Sequence, residues 1–263
     1  MAYLQTDVTK VTTRVLQNMK LHGEKIAMLT AYDYSMASLL EAAKIDVVLV
    51  GDSAANVMEG HNTTLPISLD EMIIYAASVV RAVERALVVV DMPFGTYQGN
   101  SKQALASAIR IMKETGADAI KMEGGEEILE SVQRILSAGI PVMGHLGLTP
   151  QSINKFGTYA VRATDDEEAG RLKRDALVLQ EAGCFALVLE KIPARLAAEV
   201  TAQLKIPTIG IGAGSNCDGQ ILVTHDLIGY FPWFVPKHVK QILHTGEDIR
   251  EGVRKWVEEL KRS

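Results

Sequence analysis

Eight short apolar runs recur along the chain, and each ends in a small cluster of polar or glycine residues. Residues 26–31 run into Tyr32 and Asp33, residues 47–50 into Gly51, Asp52 and Ser53, and residues 87–90 into Asp91. Ala119 and Ile120 lead to Lys121, Met122 and Glu123, residues 140–143 reach Gly144 and His145, and residues 185–189 reach Glu190. Residues 207–209 precede Gly210-Ile211-Gly212-Ala213-Gly214, and residues 221–224 close at His225 and Asp226. Runs of this length, rich in Val and Ile, are what strands buried on both faces look like. If all eight lie parallel, their polar ends gather on one rim.

The intervening segments carry helical signals. Residues 34–44 follow Asp33, a ready cap, and residues 68–85 open on Ser68-Leu69-Asp70-Glu71, a capping-box start. Residues 101–115, 126–138 and 165–182 stop before Gly116, Gly139 and Gly183, where a left-handed helix terminus is expected. Residues 193–204 begin with Pro193 at a plausible first helical position. Alternating strands and helices predict a parallel sheet. An open doubly wound sheet alternates in the same way, but eight strands in 263 residues favour closure into an α/β (β/α)8 TIM barrel, a single domain over residues 1–263. Residues 8–19 predict an extra helix plugging the far end of the barrel, and residues 236–263 one or two C-terminal helices. Segments 54–67 and 146–164 are longer than simple connections. Both follow strand ends and are placed to close over the rim.

Composition narrows the partners. The chain is 48% hydrophobic and 22% charged with a net charge of -5, ordinary for a globular enzyme. Lys and Arg are scattered, which argues against a nucleic-acid or anionic-membrane partner. No stretch approaches the roughly 20 apolar residues of a membrane span. Cys184 and Cys217 lie outside any CxxC spacing, and the first twenty residues lack the apolar core of a secretory leader. A reducing cytoplasm is therefore the expected compartment.

The polar ends set the chemistry. Asp52, Asp91 and Glu123 close three consecutive runs. Any one of them could be a helix cap, but three carboxylates in one volume repel unless a cation lies among them. An all-oxygen donor set with open positions suits Mg2+. Lys121 precedes Glu123 by two residues, so both point to the same side of a strand, and the barrel interior is the favoured side. It reads as an anion-holding charge, as a Schiff-base nucleophile or as a stabilising partner of Glu123. Adjacent carboxylates keep a lysine protonated, which weakens the nucleophile reading. His145 reads as a hydrogen-bonding partner for substrate. Glu190 leaves an apolar strand for a shielded position suited to a general base, with a surface pair to Lys191 as the plain alternative. The glycines at 210–214 do not match a dinucleotide fingerprint and fit either phosphate or a flat ligand. The roles of Tyr32, Asp33, His225 and Asp226 stay open, His61 receives none, and Trp233 and Phe234 read as packing. A divalent cation, an ammonium and a separate carboxylate suit proton abstraction beside the keto group of an α-keto acid. The electrophile is not specified by these residues.

Taken in order, Thr30-Ala31-Tyr32-Asp33, Val50-Gly51-Asp52-Ser53 and Gly60-His61-Asn62-Thr63-Thr64-Leu65-Pro66 resemble segments of the ketopantoate hydroxymethyltransferase family. So do Lys121-Met122-Glu123-Gly124-Gly125, Gly144-His145-Leu146-Gly147-Leu148-Thr149-Pro150-Gln151, Gly210-Ile211-Gly212-Ala213-Gly214, and Asp218-Gly219-Gln220 followed by His225-Asp226. The resemblance implies a (β/α)8 barrel that makes 2-dehydropantoate from 3-methyl-2-oxobutanoate, on the way to pantothenate and coenzyme A. The donor is 5,10-methylenetetrahydrofolate, with water consumed and tetrahydrofolate released, through a Mg2+-stabilised enolate. It further implies Asp52, Asp91 and Glu123 as Mg2+ positions, and Asp52, Ser53, Asp91, Lys121 and His145 as substrate contacts. Glu190 becomes the catalytic proton acceptor, and the assembly a homodecamer of five dimers. Residues 154–163 depart from the family pattern, which has a diglycine and a Gln-Gly pair there. Competing readings are a Mg2+-dependent C–C lyase or mutase of the isocitrate lyase and phosphoenolpyruvate mutase type, a Schiff-base aldolase using Lys121, and a non-catalytic binder.

Overall fold

The computed structural model describes residues 9–231 and 235–263, so Trp233 and Phe234 lie outside the described residues. Two compact units are present, one ending at Ile221 and one running from Leu222 to Ser263. The strands are β1 (Ile26–Thr30), β2 (Val47–Val50), β3 (Leu87–Asp91), β4 (Ala119–Glu123), β5 (Val142–Gly147), β6 (Ala186–Glu190), β7 (Thr208–Ile211) and β8 (Gly219–Leu222). They pair in parallel in chain order and close into the expected barrel.

The helices of the first unit are α1 (Thr13–His22), α2 (Tyr34–Ala42), α3 (Ala54–Val57), α4 (Leu69–Val80), α5 (Ser101–Thr115), α6 (Leu129–Leu136), α7 (Ile153–Phe156), α8 (Asp166–Ala182) and α9 (Ala194–Gln203). Their starts are set by side chains that accept from orphan backbone N–H groups: Asp33 for α2, Ser68 with Glu71 for α4, Asn100 for α5 and Asp165 for α8. Gly116 and Gly183 end α5 and α8 in the left-handed conformation, as expected.

Side-chain alternation sorts the core into two layers. Val47, Leu49, Leu87, Val89, Ala119, Met143, Ala186, Val188 and Ile209 fill the barrel interior. Val48, Val50, Val88, Val90, Ile120, Met122, Leu187 and Leu189 pack outward against the helices. In β4 this parity places Lys121 and Glu123 on the interior side with Ala119, so both point into the barrel. The far end is filled by α1, whose Leu16 is buried with Val11, Ile26 and Met28. Lys20 Nζ donates to Asp218 Oδ2 at 2.7 Å and to the Thr201 carbonyl at 3.0 Å. Asp218 also accepts from the Thr208 amide at 2.8 Å, and its carbonyl accepts from the Ile26 amide at 3.0 Å. This network stitches β1 to the start of β8 where the barrel closes.

Several boundaries differ from the sequence reading. Helix α1 spans Thr13–His22, not 8–19, because Thr12 supplies its cap. Strand β5 runs on through His145 to Gly147, held by pairing of Glu123 with His145 and of Gly147 with Glu190. Strand β8 begins early, with Gly219 and Gln220 paired to β7, so residues 224–227 form a helical turn. Segment 54–67 opens with α3, and segment 146–164 holds a 3-10 turn (Pro150–Ser152) and α7.

The second unit contains α10 (Thr224–Leu227) and α11 (Thr245–Arg262). His225 and Asp226 therefore sit in a helical turn and not at a strand end. His225 is buried with its ring 5.2 Å from that of Tyr230, and burial pushes the Asp226 carboxyl up to about 6. On α11, Ile249, Val253, Trp256 and Leu260 share one face at helical spacing and are exposed. No helix among the described residues is long and apolar enough to cross a membrane.

Candidate active site

The C-terminal ends of β2 to β6 bring a dense ionisable cluster to one mouth of the barrel. Asp91 closes β3, and its Oδ2 accepts from the Asp52 amide at 3.0 Å, just beyond β2. Lys121 Nζ lies 2.9 Å from Asp91 Oδ1, 4.0 Å from Glu123 Oε1 and 3.2 Å from His145 Nδ1. His145 Nδ1 is also 3.3 Å from Glu123 Oε1, while Nε2 on the other side of the ring lies 3.3 Å from Glu190 Oε2. Ser53 Oγ is 2.8 Å from the Tyr32 hydroxyl. The structure thus gathers Asp52, Asp91, Lys121, Glu123, His145 and Glu190 into one connected array, with Ser53 at the end of β2. Asp33 caps α2 and belongs to the scaffold, and Gly214 lets the loop after β7 pack against Ala194.

Burial and like charge dominate the electrostatics. Removal from water, together with Asp91 and Glu123, lifts the Asp52 carboxyl well above the usual carboxylate range. Asp91 is raised mainly by burial, against the pull of Lys121. Burial works against the Lys121 ammonium, but Asp91, Glu123 and Asp52 outweigh it and hold the proton above the ordinary lysine range. Glu123 stays below its ordinary value despite burial, because His145, Lys121 and the Gln151 amide favour its charged form. Burial and Lys121 oppose charge on His145, yet Glu123 and Glu190 carry its pKa to about 9. A lysine so firmly protonated makes a poor Schiff-base nucleophile.

Among the described residues, no three His, Cys, Asp or Glu side chains could by themselves hold a metal ion. Mg2+ does not require that, since it usually takes one or two carboxylates and completes its shell with water and substrate. Lys121 lies on Asp91 and His145 on Glu123, so Asp52 is the carboxyl without a cation of its own, the condition that a divalent ion relieves.

Two residues to which sequence reasoning gave no role are central here. Gln151 donates from Nε2 to Asp52 Oδ2 at 2.9 Å and from its backbone N–H to Glu123 Oε2 at 2.9 Å. Tyr97 is buried, its hydroxyl donates to Gln151 Oε1 at 2.7 Å, and it accepts from the Glu123 amide at 3.0 Å. Gln151 lay within a recognised segment but carries no charge, and nothing in its neighbours announces a contact 99 positions away.

Glu190 is positioned by the backbone around it. Gly147 has φ +96, and a Cβ there would collide with the Glu190 carbonyl oxygen. Lys191 adopts φ 43, a left-handed value that a side chain resists. Its amide donates to the Ile211 carbonyl at 2.8 Å, its carbonyl accepts from the Arg162 amide at 2.8 Å, and its Nζ donates to the Tyr159 carbonyl at 2.9 Å. The stretch that departs from the family pattern is thereby tied to the end of β6. Gly147→Ala is expected to cost at least about 2 kcal/mol from the backbone conformation and clash together, read as a lower denaturant midpoint. An unchanged midpoint would show that β5 and β6 can part there without penalty.

A cavity of about 420 Å3 lies between the loops after β4 and β5 and the start of α8, lined by Gly124, Gly147, Phe156, Arg162 and Asp175 among others. None of Asp52, Asp91, Lys121 or Glu190 lines it. Arg162 stacks 4.3 Å over the Phe156 ring and pairs with Glu168.

The family profile of ketopantoate hydroxymethyltransferase matches residues 10–263. The chain belongs to the ketopantoate hydroxymethyltransferase family. The 3-methyl-2-oxobutanoate hydroxymethyltransferase of Cytophaga hutchinsonii is 63% identical over 261 residues, 99% of this chain and 96% of that protein. The enzyme of the same name from Parabacteroides distasonis is 64% identical over 255 residues, 97% of this chain and 93% of the relative. Ketopantoate hydroxymethyltransferases are enzymes, so this chain is an enzyme and not a passive binder. Among solved structures, a phosphonopyruvate hydrolase complex with oxalate and Mg2+ superposes with a TM-score of 0.63 at 13% identity, covering 95% of this chain and 87% of the other. A 2,3-dimethylmalate lyase of the phosphoenolpyruvate mutase/isocitrate lyase superfamily gives 0.60 at 15%, covering 95% and 87%. Likeness at that identity is likeness of fold.

Proposed function

We propose that the chain transfers a hydroxymethyl group from 5,10-methylenetetrahydrofolate to 3-methyl-2-oxobutanoate, giving 2-dehydropantoate and tetrahydrofolate with consumption of water. The observation that carries this reading is Glu190 held by His145 beside the Asp52, Asp91 and Lys121 cluster, on a chain about 63% identical to enzymes named for this activity. Asp52, Asp91 and Glu123 are the residues that would hold Mg2+. When bound, that ion stabilises the negative charge that develops on the keto oxygen.

The remaining work falls to this chain's own groups. Lys121, kept protonated, offers a fixed positive charge to the anionic substrate, and the Ser53 hydroxyl provides a neutral hydrogen bond. Glu190 takes the C3 proton, and the carbanion left forms the new C–C bond to the one-carbon unit. The two C–N bonds from that unit to the folate break, while water supplies its hydroxyl and, together with the C3 proton, the protons taken up by the folate nitrogens. His145 engages Glu190 through Nε2 at 3.3 Å and so orients the base before the proton is taken. The barrel is the catalytic domain. An exposed apolar stripe on α11 supports a homo-oligomer, for which the family resemblance implies five dimers. Cytoplasmic residence completes the proposal.

The test is turnover of 3-methyl-2-oxobutanoate with methylenetetrahydrofolate, run with and without EDTA. Formation of 2-dehydropantoate that EDTA abolishes and Mg2+ restores is expected. No turnover with this pair, accompanied by C–C cleavage of another acid, would sink the reading in favour of a lyase.

A further inference from the structure

Gln151 is buried at 6% exposure, and every polar atom of its side chain is engaged. Its Oε1 accepts from the Tyr97 hydroxyl at 2.7 Å and from Gln98 Nε2 at 2.9 Å. Its Nε2 donates to the Met92 carbonyl at 3.0 Å and to Asp52 Oδ2 at 2.9 Å. The Met92 carbonyl can only accept, so the amide nitrogen must face it, and the second N–H is thereby aimed at Asp52. The backbone N–H of the same residue holds Glu123 Oε2 at 2.9 Å. One residue on the loop after β5 thus grips carboxylates from the ends of β2 and β4 at once.

This grip has a chemical consequence. A carboxylate can offer two oxygens to a cation, and large flexible ions such as Ca2+ exploit both. Asp52 has Oδ2 occupied by the Gln151 amide, which leaves Oδ1 for ligand, whereas Glu123 has Oε2 on the Gln151 backbone N–H and Oε1 facing His145 Nδ1 at 3.3 Å. Single-oxygen presentation matches the small octahedral shell of Mg2+ and disfavours the wider, bidentate shell of Ca2+. Groups that hold metal-facing side chains from behind commonly matter as much as the ligands.

We propose that Gln151, oriented by Tyr97, is the positioning residue that restricts Asp52 to one available oxygen and so sets the preference of this site for Mg2+ over Ca2+. The proposal rests on the cation reading of the cluster given above. It requires no contact between Gln151 and substrate.

The experiment is Mn2+ binding by electron paramagnetic resonance, with Mg2+ and Ca2+ as competitors, on wild type, Gln151→Met and Tyr97→Phe. Gln151→Met preserves length and the backbone N–H while removing the amide. We expect its Mg2+ affinity to fall about 10- to 100-fold, the range typical for such supporting groups. Ca2+ affinity should fall less, so that the preference narrows. Tyr97→Phe should shift both in the same direction by a smaller factor. Exchange of the substrate C3 proton in Gln151→Met should recover at saturating Mg2+, which a general packing defect would not allow. Wild-type binding with both variants unchanged overturns the inference and leaves the metal reading standing. Failure of wild type itself to bind either ion removes both. Should Gln151→Met not fold by circular dichroism, Tyr97→Phe decides, and an unaltered Mg2+/Ca2+ preference there overturns the proposal.

Discussion

Glu190→Gln is expected to slow exchange of the C3 proton of 3-methyl-2-oxobutanoate into deuterated water by about 10²- to 10⁴-fold, the usual contribution of a positioned general base. Metal affinity and substrate affinity should change little. The expectation follows from geometry. Glu190 ends β6, where its backbone is clasped between Gly147 on one side and the β7 pairing of Ile211 on the other. Its Oε2 faces His145 Nε2 at 3.3 Å, a contact that the side-chain carbonyl of Gln can keep. An amide preserves shape and this contact but cannot accept a proton at neutral pH. Loss of exchange with retained binding therefore isolates the proton-accepting role. Exchange at the wild-type rate would place the base elsewhere in the mouth.

The second large effect is on stability. Lys121 lies 2.9 Å from Asp91 with both side chains 4% exposed, and it is the single lysine amid three buried carboxylates. Replacing it by Met leaves Asp91 without its cation, with His145 as the remaining positive group on Glu123, and breaking a buried pair from one side typically costs about 3–5 kcal/mol. The pH dependence has a definite sign. Asp52 and Asp91 already have folded-state values above their ordinary ones, so the folded protein holds those protons more tightly than the unfolded chain. Such a group withdraws stability as pH rises from its unfolded value through its folded one. Without Lys121 both values rise further. In metal-free buffer, the deficit of Lys121→Met against wild type should be smallest near pH 5 and widen toward pH 8. Mg2+ should narrow it, because a ligand of the folded state alone stabilises by mass action. Melting curves at several pH values check this. A deficit that is the same across the range would mean that packing, not charge, is what Lys121 supplies.

The comparison of sequence with structure is sharpest around β4 and β5. The period of two in Ala119-Ile120-Lys121-Met122-Glu123 foretold that Lys121 and Glu123 share a face, and the interior layer is where both point. His145 was legible as a rim residue, although its strand runs two residues past it, because a short apolar run does not mark where pairing stops. At the other end, His225 and Asp226 looked like an eighth strand end. Pairing of Gly219 and Gln220 with β7 shifted that strand back, and the pair fell into a helical turn. Gln151 shows the opposite limitation. Its residue type carries neither charge nor periodicity, and its partners arrive from β2, β3 and β4 only once the barrel closes.

Taken by itself, the sequence determined the number, type and order of the barrel's elements, though not every boundary. Eight Val- and Ile-rich runs alternating with capped helices dictate parallel pairing, and parallel strands of equal polarity put their final residues on one rim. Which acids, which lysine and which histidine gather at that mouth follow directly, as does membership of the ketopantoate hydroxymethyltransferase family. Only the tertiary structure decided how those groups hold one another. Hydrogen-bond partners, the displacement of buried carboxyls from their ordinary titration range and the clasp of Gly147 on Glu190 are all set by distances of about 3 Å between residues remote in the chain, and interactions of that reach leave no trace in a linear pattern.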